Sequence, residues 1–144
     1  MVVKRTIIIE RLKEFDTILT ELNKYRSVDE TELRQDLSQR WIIERGLIAA
    51  AEIIFDVTDH ILAAHYSVYS ETYEDSLEKL NENKVISDSL YNQLRGLGGF
   101  RNILVHRYLG IDIANVAQNF QKGLKTFPQF AQEILVWLDS QRTV

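Results

Sequence analysis

A long segment with apolar residues on almost every side of a helix constrains this fold most. When the residues of about 30–65 are placed at roughly 100° each around a helix, apolar side chains cover nearly the whole circumference. Such a helix lies at the centre of a helical domain, and the few polar groups on it need partners. These polar residues share one stripe and are Arg45, Glu52, Asp56, Asp59 and His60.

Further helices are predicted on either side of this central segment. Apolar residues recur every three or four positions before and after it, and no alternating strand pattern competes. Asp29, Ser87 and Asp112 are predicted N-caps, and Pro128 is predicted to mark a break or a new first turn. The sequence therefore predicts an all-α bundle of four to five helices, in one domain over residues 1–144. The predicted helices span about 5–25, 30–65, 74–83, 88–107 and 113–125, with a last one after Pro128.

Composition and charge exclude several classes of function. The chain has 144 residues and no cysteine, which excludes disulfides and thiolate metal sites. Its formal net charge of −4 argues against nucleic-acid binding by bulk charge, so a nucleic-acid site would be a local basic patch. The isoleucine run near the start is too short for a signal peptide or a membrane span. We expect a cytoplasmic protein that binds neither membranes nor DNA.

The stretch GLGGFRNILVHRYLGID, residues 96–112, carries most of the functional signal. Each of its first three glycines costs about 1 kcal/mol in a helix relative to alanine. They indicate tight packing, a local kink or the close approach of a ligand. No strand precedes them and no Gly-Lys-Ser/Thr follows, which excludes a dinucleotide site or P-loop. Arg95, Arg101 and Arg107 make the stretch locally basic.

Arg101 lies near the middle of an apolar stripe, where a charge needs a partner or a cleft. Two interpretations stay open: an ion pair with Glu52 or Asp56, or a guanidinium that binds phosphate. His106 lies five residues on and about 140° further around the helix. The two side chains therefore do not share a face, and a second copy of the same helix would close a site between them.

A metal site is the weaker hypothesis. Asp56, His60 and His65 offer ligand types on one helix, but the two histidines lie about 140° apart. We expect no metal and no cofactor, and we expect Asp56 and Glu52 to pair with Arg45 or Arg101. The charge-rich stretch YEDSLEKLNENK, residues 73–84, is interpreted as a solvated face.

The motif RNILVHRY is similar to the signature of HEPN domains, and in particular of the HepT-like toxins. Arg101, Asn102, His106 and Tyr108 match it position by position. The segment ERGLIAAAEIIFDVTDHIL also resembles the family, and the resemblance covers about 5–140. It implies a HEPN-type homodimer whose motifs face each other across a cleft. It also implies a metal-independent endoribonuclease without a cofactor.

The resemblance implies a role for each motif residue. His106 would take the 2′-OH proton, and Arg101 would hold the scissile phosphate. Asn102 would orient His106 or a phosphate oxygen, and the product would be a 2′,3′-cyclic phosphate. Arg95, Arg107 and Tyr108 are candidate RNA-binding residues, and the substrate would be transfer or messenger RNA.

The resemblance also implies a protein partner. In such toxin–antitoxin pairs the antitoxin is a minimal nucleotidyltransferase, described as transferring AMP from ATP onto the tyrosine that corresponds to Tyr108. The alternative is a non-catalytic helical dimer that binds a nucleotidyltransferase, with Arg101 and His106 in structural roles.

Overall fold

A computed structural model describes residues 4–107 and 109–141, and all regular structure in these ranges is helical. Five helices of ten residues or more form the bundle, which confirms the predicted all-α class. Two further helices in these ranges are shorter than eight residues, and each directly precedes a longer helix. The helices are α1 (Arg5–Asn23), α2 (Glu30–Gln35), α3 (Leu37–Tyr66), α4 (Tyr73–Glu82), α5 (Asp88–Leu94), α6 (Leu97–His106) and α7 (Ile113–Ser140).

Helix α3 lies at the centre, as its apolar circumference predicts. It packs against α1, α2, α4, α6 and α7. Ile43, Ile54, Ile61 and Leu62 on it are completely buried, and each buried side chain of this size stabilises the fold by about 1.5–3 kcal/mol. None of the helices in the described ranges is long and apolar enough to cross a membrane.

The predicted helix over 30–65 is divided into α2 and α3 at Asp36. Its backbone is extended there, with φ −121° and ψ 95°. The Asp36 carboxylate accepts a hydrogen bond from the Gln39 backbone N–H at 3.0 Å, as Asp29 does for Glu32 at 2.9 Å. Each carboxylate satisfies a free N–H of a first helical turn, so the chain starts a new helix at each aspartate.

The predicted helix over 88–107 is also wrong as a single element. Helix α5 ends at Leu94 and α6 begins at Leu97. Between them Gly96 has a φ of +90°, in the left-handed region that glycine adopts without steric cost. The glycine thus turns the chain between two helices and does not lie inside one.

The predicted break at Pro128 is wrong, because α7 runs through this residue without interruption. Pro128 is exposed on the helix surface and removes one backbone N–H donor from the helix. The flanking Phe127 and Phe130 are buried against Phe15 of α1, with ring centroids 6.1 Å away in both pairs. This packing holds the helix together where its local propensity is low.

Candidate active site

Arg101 lies on the side of α6 that faces α3 and α4, with its side chain 17% exposed. Its Nε donates to Oε1 of Glu52 at 2.6 Å, and its Nη2 contacts the same oxygen. Its Nη1 donates to Oδ1 of Asn102 at 3.0 Å. Among the described residues Glu52, and not Asp56, is therefore the acid that pairs with this guanidinium.

The ring of Tyr73, at the start of α4, lies beneath the Arg101 guanidinium. The guanidinium carbon is 5.3 Å from the ring centroid, within the range of a cation–π interaction. This ring is also stacked on Phe55 of α3, at 4.3 Å between centroids and 25° between planes. Arg101 is thus held by a carboxylate and by an aromatic ring that is itself stacked.

The neighbouring Glu74 fixes the start of α6. Its two carboxylate oxygens each lie 3.1 Å from the Gly96 nitrogen, and Oε1 lies 2.9 Å from the Gly98 nitrogen. The free N–H groups of a first helical turn need such acceptors, and a negative charge is favourable there. Helix α6 therefore takes its N-terminal cap from α4.

Neither Tyr73 nor Glu74 is among the candidate site residues that the sequence predicts. Both belong to the charge-rich stretch that is predicted to be a solvated face, yet both are half-buried. Their partners Gly98 and Arg101 lie more than twenty residues away, so no local spacing reveals the contact. The signal that could have found them is the unexplained Gly98, which indicates close approach of another element.

Gly98 and Gly99 are adjacent in α6 but differ in their surroundings. A Cβ on Gly98 would lie 2.7 Å from the Tyr73 Cβ, whereas a Cβ on Gly99 would meet nothing within 4 Å. We expect Gly98→Ala to lower the free energy of unfolding by about 1–3 kcal/mol through overpacking. Gly99→Ala should raise it by up to about 1 kcal/mol through helix propensity. Urea denaturation measures the change in the free energy of unfolding of each variant, and changes of the same sign in both would contradict this packing.

His106 and Arg107 lie at the other end of α6. His106 is the last residue of the helix and is exposed. It makes no hydrogen bond with any residue in the described ranges, so its imidazole is accessible to a ligand. The backbone N–H of the exposed Arg107 caps the helix by donating to the Ile103 carbonyl at 2.9 Å. Tyr108 lies outside the described residues.

Arg95 lies at the turn where α5 meets α6, beside α7. Its guanidinium is 5.8 Å from the Tyr91 ring centroid. It lines a groove of about 320 Å³ that contains neither Arg101 nor His106. The structure therefore does not bring Arg95 together with Arg101 or His106. The other lining residues are Gly96, Asn115, Gln118, Asn119 and Lys122.

Of the acids expected to pair with Arg45 or Arg101, Glu52 pairs with Arg101, but Asp56 pairs with neither arginine. The side chains of Arg45 and Asp56 are exposed on α3, and neither forms an ion pair with a residue that the structure describes. Glu52, which lies between them in the sequence, is the acid on the side of α3 that faces α6.

Asp59, on the same helix, has a raised pKa. Burial of its carboxyl raises the pKa most, a hydrogen bond from the Ser70 hydroxyl lowers it, and the negative charge of Asp56 raises it further.

The two histidines of α3 contact other residues of the chain. His60 Nε2 accepts a hydrogen bond from the Lys4 backbone N–H at 3.4 Å. The ring of His65 packs edge-on against Trp137 of α7, at 5.0 Å between centroids. Across the described ranges, no group of three or more His, Cys, Asp or Glu side chains is arranged to hold a metal ion.

Comparison with known proteins decides the family. A family model described as Ribonuclease HepT-like matches residues 8–134. The chain belongs to the HepT-like ribonuclease family. A tRNA nuclease HepT of Aphanizomenon flos-aquae is 27% identical to it over 136 residues, which cover 94% of this chain and 92% of that relative. An mRNA nuclease HepT of Shewanella oneidensis is 27% identical over 106 residues, which cover 74% and 80%.

Solved structures share the HepT-like fold. The tri-AMPylated HEPN toxin of Shewanella oneidensis, in complex with an MNT antitoxin, superposes with a TM-score of 0.82 at 24% identity. That match covers 92% of this chain and 99% of the toxin. YutE of Bacillus subtilis, a cytosolic protein of unknown function, has a TM-score of 0.83 at 20% identity, over 96% and 93% of the two chains. The predicted HEPN-type architecture is thereby confirmed.

Proposed function

We propose that this chain is the toxin of a HEPN/minimal-nucleotidyltransferase toxin–antitoxin pair and a metal-independent endoribonuclease. The observation that carries the proposal lies in α6. Arg101 is fixed there by Glu52 and Asn102, and the exposed His106 follows on the same helix. Membership in the HepT-like ribonuclease family supports RNA as the substrate.

The contacts of Arg101 leave part of its guanidinium available to a phosphate. The group has five N–H donors. Glu52 engages Nε and Nη2, and Asn102 engages Nη1. One N–H on each terminal nitrogen is left, and these two donors are available to phosphate oxygens. The fixed guanidinium would stabilise the charge that develops on the phosphorane.

His106 would exchange the protons of the reaction. As a base, it would take the proton of the 2′-OH while the 2′-oxygen bonds to phosphorus. The bond from phosphorus to the 5′-oxygen breaks, and a protonated imidazole would give that oxygen a proton. The products are a 2′,3′-cyclic phosphate and a free 5′-OH. Asn102, which is exposed beside Arg101, would orient the histidine or a phosphate oxygen.

A homodimer would supply two copies of each group to one cleft. Helix α3 carries exposed apolar residues at its start, Leu37, Trp41 and Ile42, with exposed fractions of 48%, 59% and 49%. Trp41 shares a face of α3 with Glu52, since eleven residues make about three helical turns. This apolar surface therefore leads towards the Arg101–Glu52 pair and supports assembly of two copies beside it.

Two cationic surfaces would hold the remaining RNA. Arg107 directly follows His106, and Tyr108 beside it could stack on a base. At the turn between α5 and α6, Arg95 and Lys122 share a groove whose other lining residues are carboxamides and one glycine. A cationic groove with amide donors is complementary to a phosphodiester.

The function is tested with the purified chain, transfer and messenger RNA and an excess of EDTA. We expect cleavage that EDTA leaves unchanged. The non-catalytic alternative has support of its own, because a structural arginine would also pair with an acid such as Glu52. An undetectable rate for the wild-type chain, equal to that of Arg101→Ala, would favour the binding module. Loss of cleavage in EDTA would refute metal independence.

We further propose that the antitoxin neutralises the chain by AMP transfer to Tyr108. The adduct would place a negative phosphate and an adenine beside the motif, where they compete with RNA for Arg101. Tyr108→Phe is expected to stay toxic in cells and to escape neutralisation by the cognate nucleotidyltransferase. Mass spectrometry after incubation with that enzyme and ATP should find the adduct on Tyr108. An adduct at other residues only, or none, would refute this role.

A further inference from the structure

We propose that Tyr73 and Glu74, on the first turn of α4, are positioning residues for Arg101. Each contacts α6 at a different point, one at the guanidinium and one at the helix start. Neither belongs to the motif on α6. The inference rests on the proposed ribonuclease function, to which it adds the element that sets the phosphate-binding group.

Glu74 sets the position of the α6 backbone. The N-cap residue of α6 is Gly96, which has no side chain that could cap the helix. Glu74 supplies the missing acceptors and binds the N–H groups of Gly96 and Gly98. Because Gly96 also forms the turn from α5, this carboxylate fixes where α6 starts. The guanidinium of Arg101, one turn further along, is placed by that start.

Tyr73 sets the position of the guanidinium itself. Its ring is stacked on Phe55, which lies one helical turn from Glu52 on α3. The Tyr73 ring and the Glu52 carboxylate, which both contact Arg101, are therefore both held in place by the central helix α3. Glu52 binds one edge of the Arg101 guanidinium, and the Tyr73 ring lies against the flat face of the same group.

Gly98 brings the two helices close enough for both contacts. The Cβ that alanine would add there would lie 3.2 Å from Oε1 of Glu74 as well as 2.7 Å from the Tyr73 Cβ. A side chain at this position would separate α4 from α6. The glycine is therefore required for the contacts of Tyr73 and Glu74 with the helix that carries Arg101.

The first experiment measures kcat for Tyr73→Phe and Tyr73→Leu, each with and without Arg101→Ala. Tyr73→Phe should keep wild-type kcat, because it keeps the ring. Tyr73→Leu should lower kcat about 10- to 100-fold. In the Arg101→Ala background it should lower kcat by less than about 2-fold, because the effects of substitutions at two contacting residues are not additive. An equal loss in both backgrounds would mean a merely structural role and would overturn the inference.

NMR distinguishes failure of this inference from failure of the ribonuclease proposal. In the wild-type chain we expect nuclear Overhauser contacts from the Tyr73 ring to the Arg101 δ-protons, with an upfield ring-current shift of those protons. Tyr73→Phe should keep the shift and Tyr73→Leu should lose it. If the ring-current shift is present but RNA is not cleaved, the positioning of Arg101 by Tyr73 is supported and the ribonuclease proposal is refuted. If wild type lacks the contacts, the positioning is overturned, even where the leucine variant does not fold.

Glu74 is tested against Glu78, an exposed glutamate one turn further along α4. Glu74→Ala should lower kcat about 10-fold and speed hydrogen exchange at the Gly98 amide. Glu78→Ala should change neither. Unchanged exchange at Gly98 in Glu74→Ala would contradict the role of this carboxylate.

Discussion

Replacing His106 with alanine is expected to slow RNA cleavage by about 10²- to 10⁴-fold, the contribution of general acid–base catalysis. The reason is that histidine is the side chain most often used for proton transfer in catalysis and that this imidazole is accessible at the end of α6. Because the side chain is exposed, the variant should keep the wild-type melting temperature within about 2 °C. Single-turnover cleavage of a labelled RNA measures the loss.

His65→Ala provides the matched control for this variant. His65 is also exposed, but it contacts Trp137 on α7 instead of lying in the motif. We expect His65→Ala to cleave RNA at the wild-type rate. RNA binding by His106→Ala should stay within a few-fold of wild type. A His106→Ala variant that retains full cleavage would remove the catalytic basis of the proposal.

Arg101→Ala is expected to lower kcat by about 10²- to 10³-fold, as the loss of one preorganised charge donor does. Arg101→Lys should not restore the rate, because an ammonium group cannot donate to Glu52 and to two phosphate oxygens in one plane. Arg101→Ala should lower the free energy of unfolding by about 1–2 kcal/mol, through the lost ion pair and the lost contact with the Tyr73 ring. The loss stays moderate because the Glu52 side chain left behind is 39% exposed and can be solvated.

Arg45→Ala is the control for the loss of a positive charge. Arg45 is exposed on the same helix as Glu52, and it pairs with no residue in the described ranges. Its substitution should leave kcat unchanged. Equal losses of cleavage in Arg45→Ala and Arg101→Ala would indicate general electrostatic attraction of RNA, and not a fixed phosphate-binding guanidinium.

The helices could be predicted from the sequence where periodicity and caps agree. The caps at Asp29, Ser87 and Asp112 lie where expected, and each side chain accepts a hydrogen bond from the first turn of its helix. The positions of the interruptions could not be predicted. At Asp36 and Gly96 single residues decide the backbone conformation within otherwise helical composition, and at Pro128 buried phenylalanines override the local preference.

The site could be predicted only in part for a similar reason. Local spacing identifies Arg101 as a charge that needs a partner, and Glu52 is one of two acids that the central helix offers. The choice between them depends on the packing of α6 against α3, which spacing along one helix does not determine. Tyr73 and Glu74 contact α6 across a gap of more than twenty residues, and only the tertiary fold brings them there.

A single 2′-deoxy substitution tests the proposed chemistry most directly. The cleavage position is first mapped in an RNA that the chain cuts, and the same RNA is then made with 2′-deoxyribose on the 5′ side of that linkage. Because the 2′-oxygen would be the nucleophile, we predict no cleavage there, and a 2′,3′-cyclic phosphate end in the unmodified RNA. Cleavage of the deoxy linkage at an undiminished rate would contradict the mechanism proposed for Arg101 and His106.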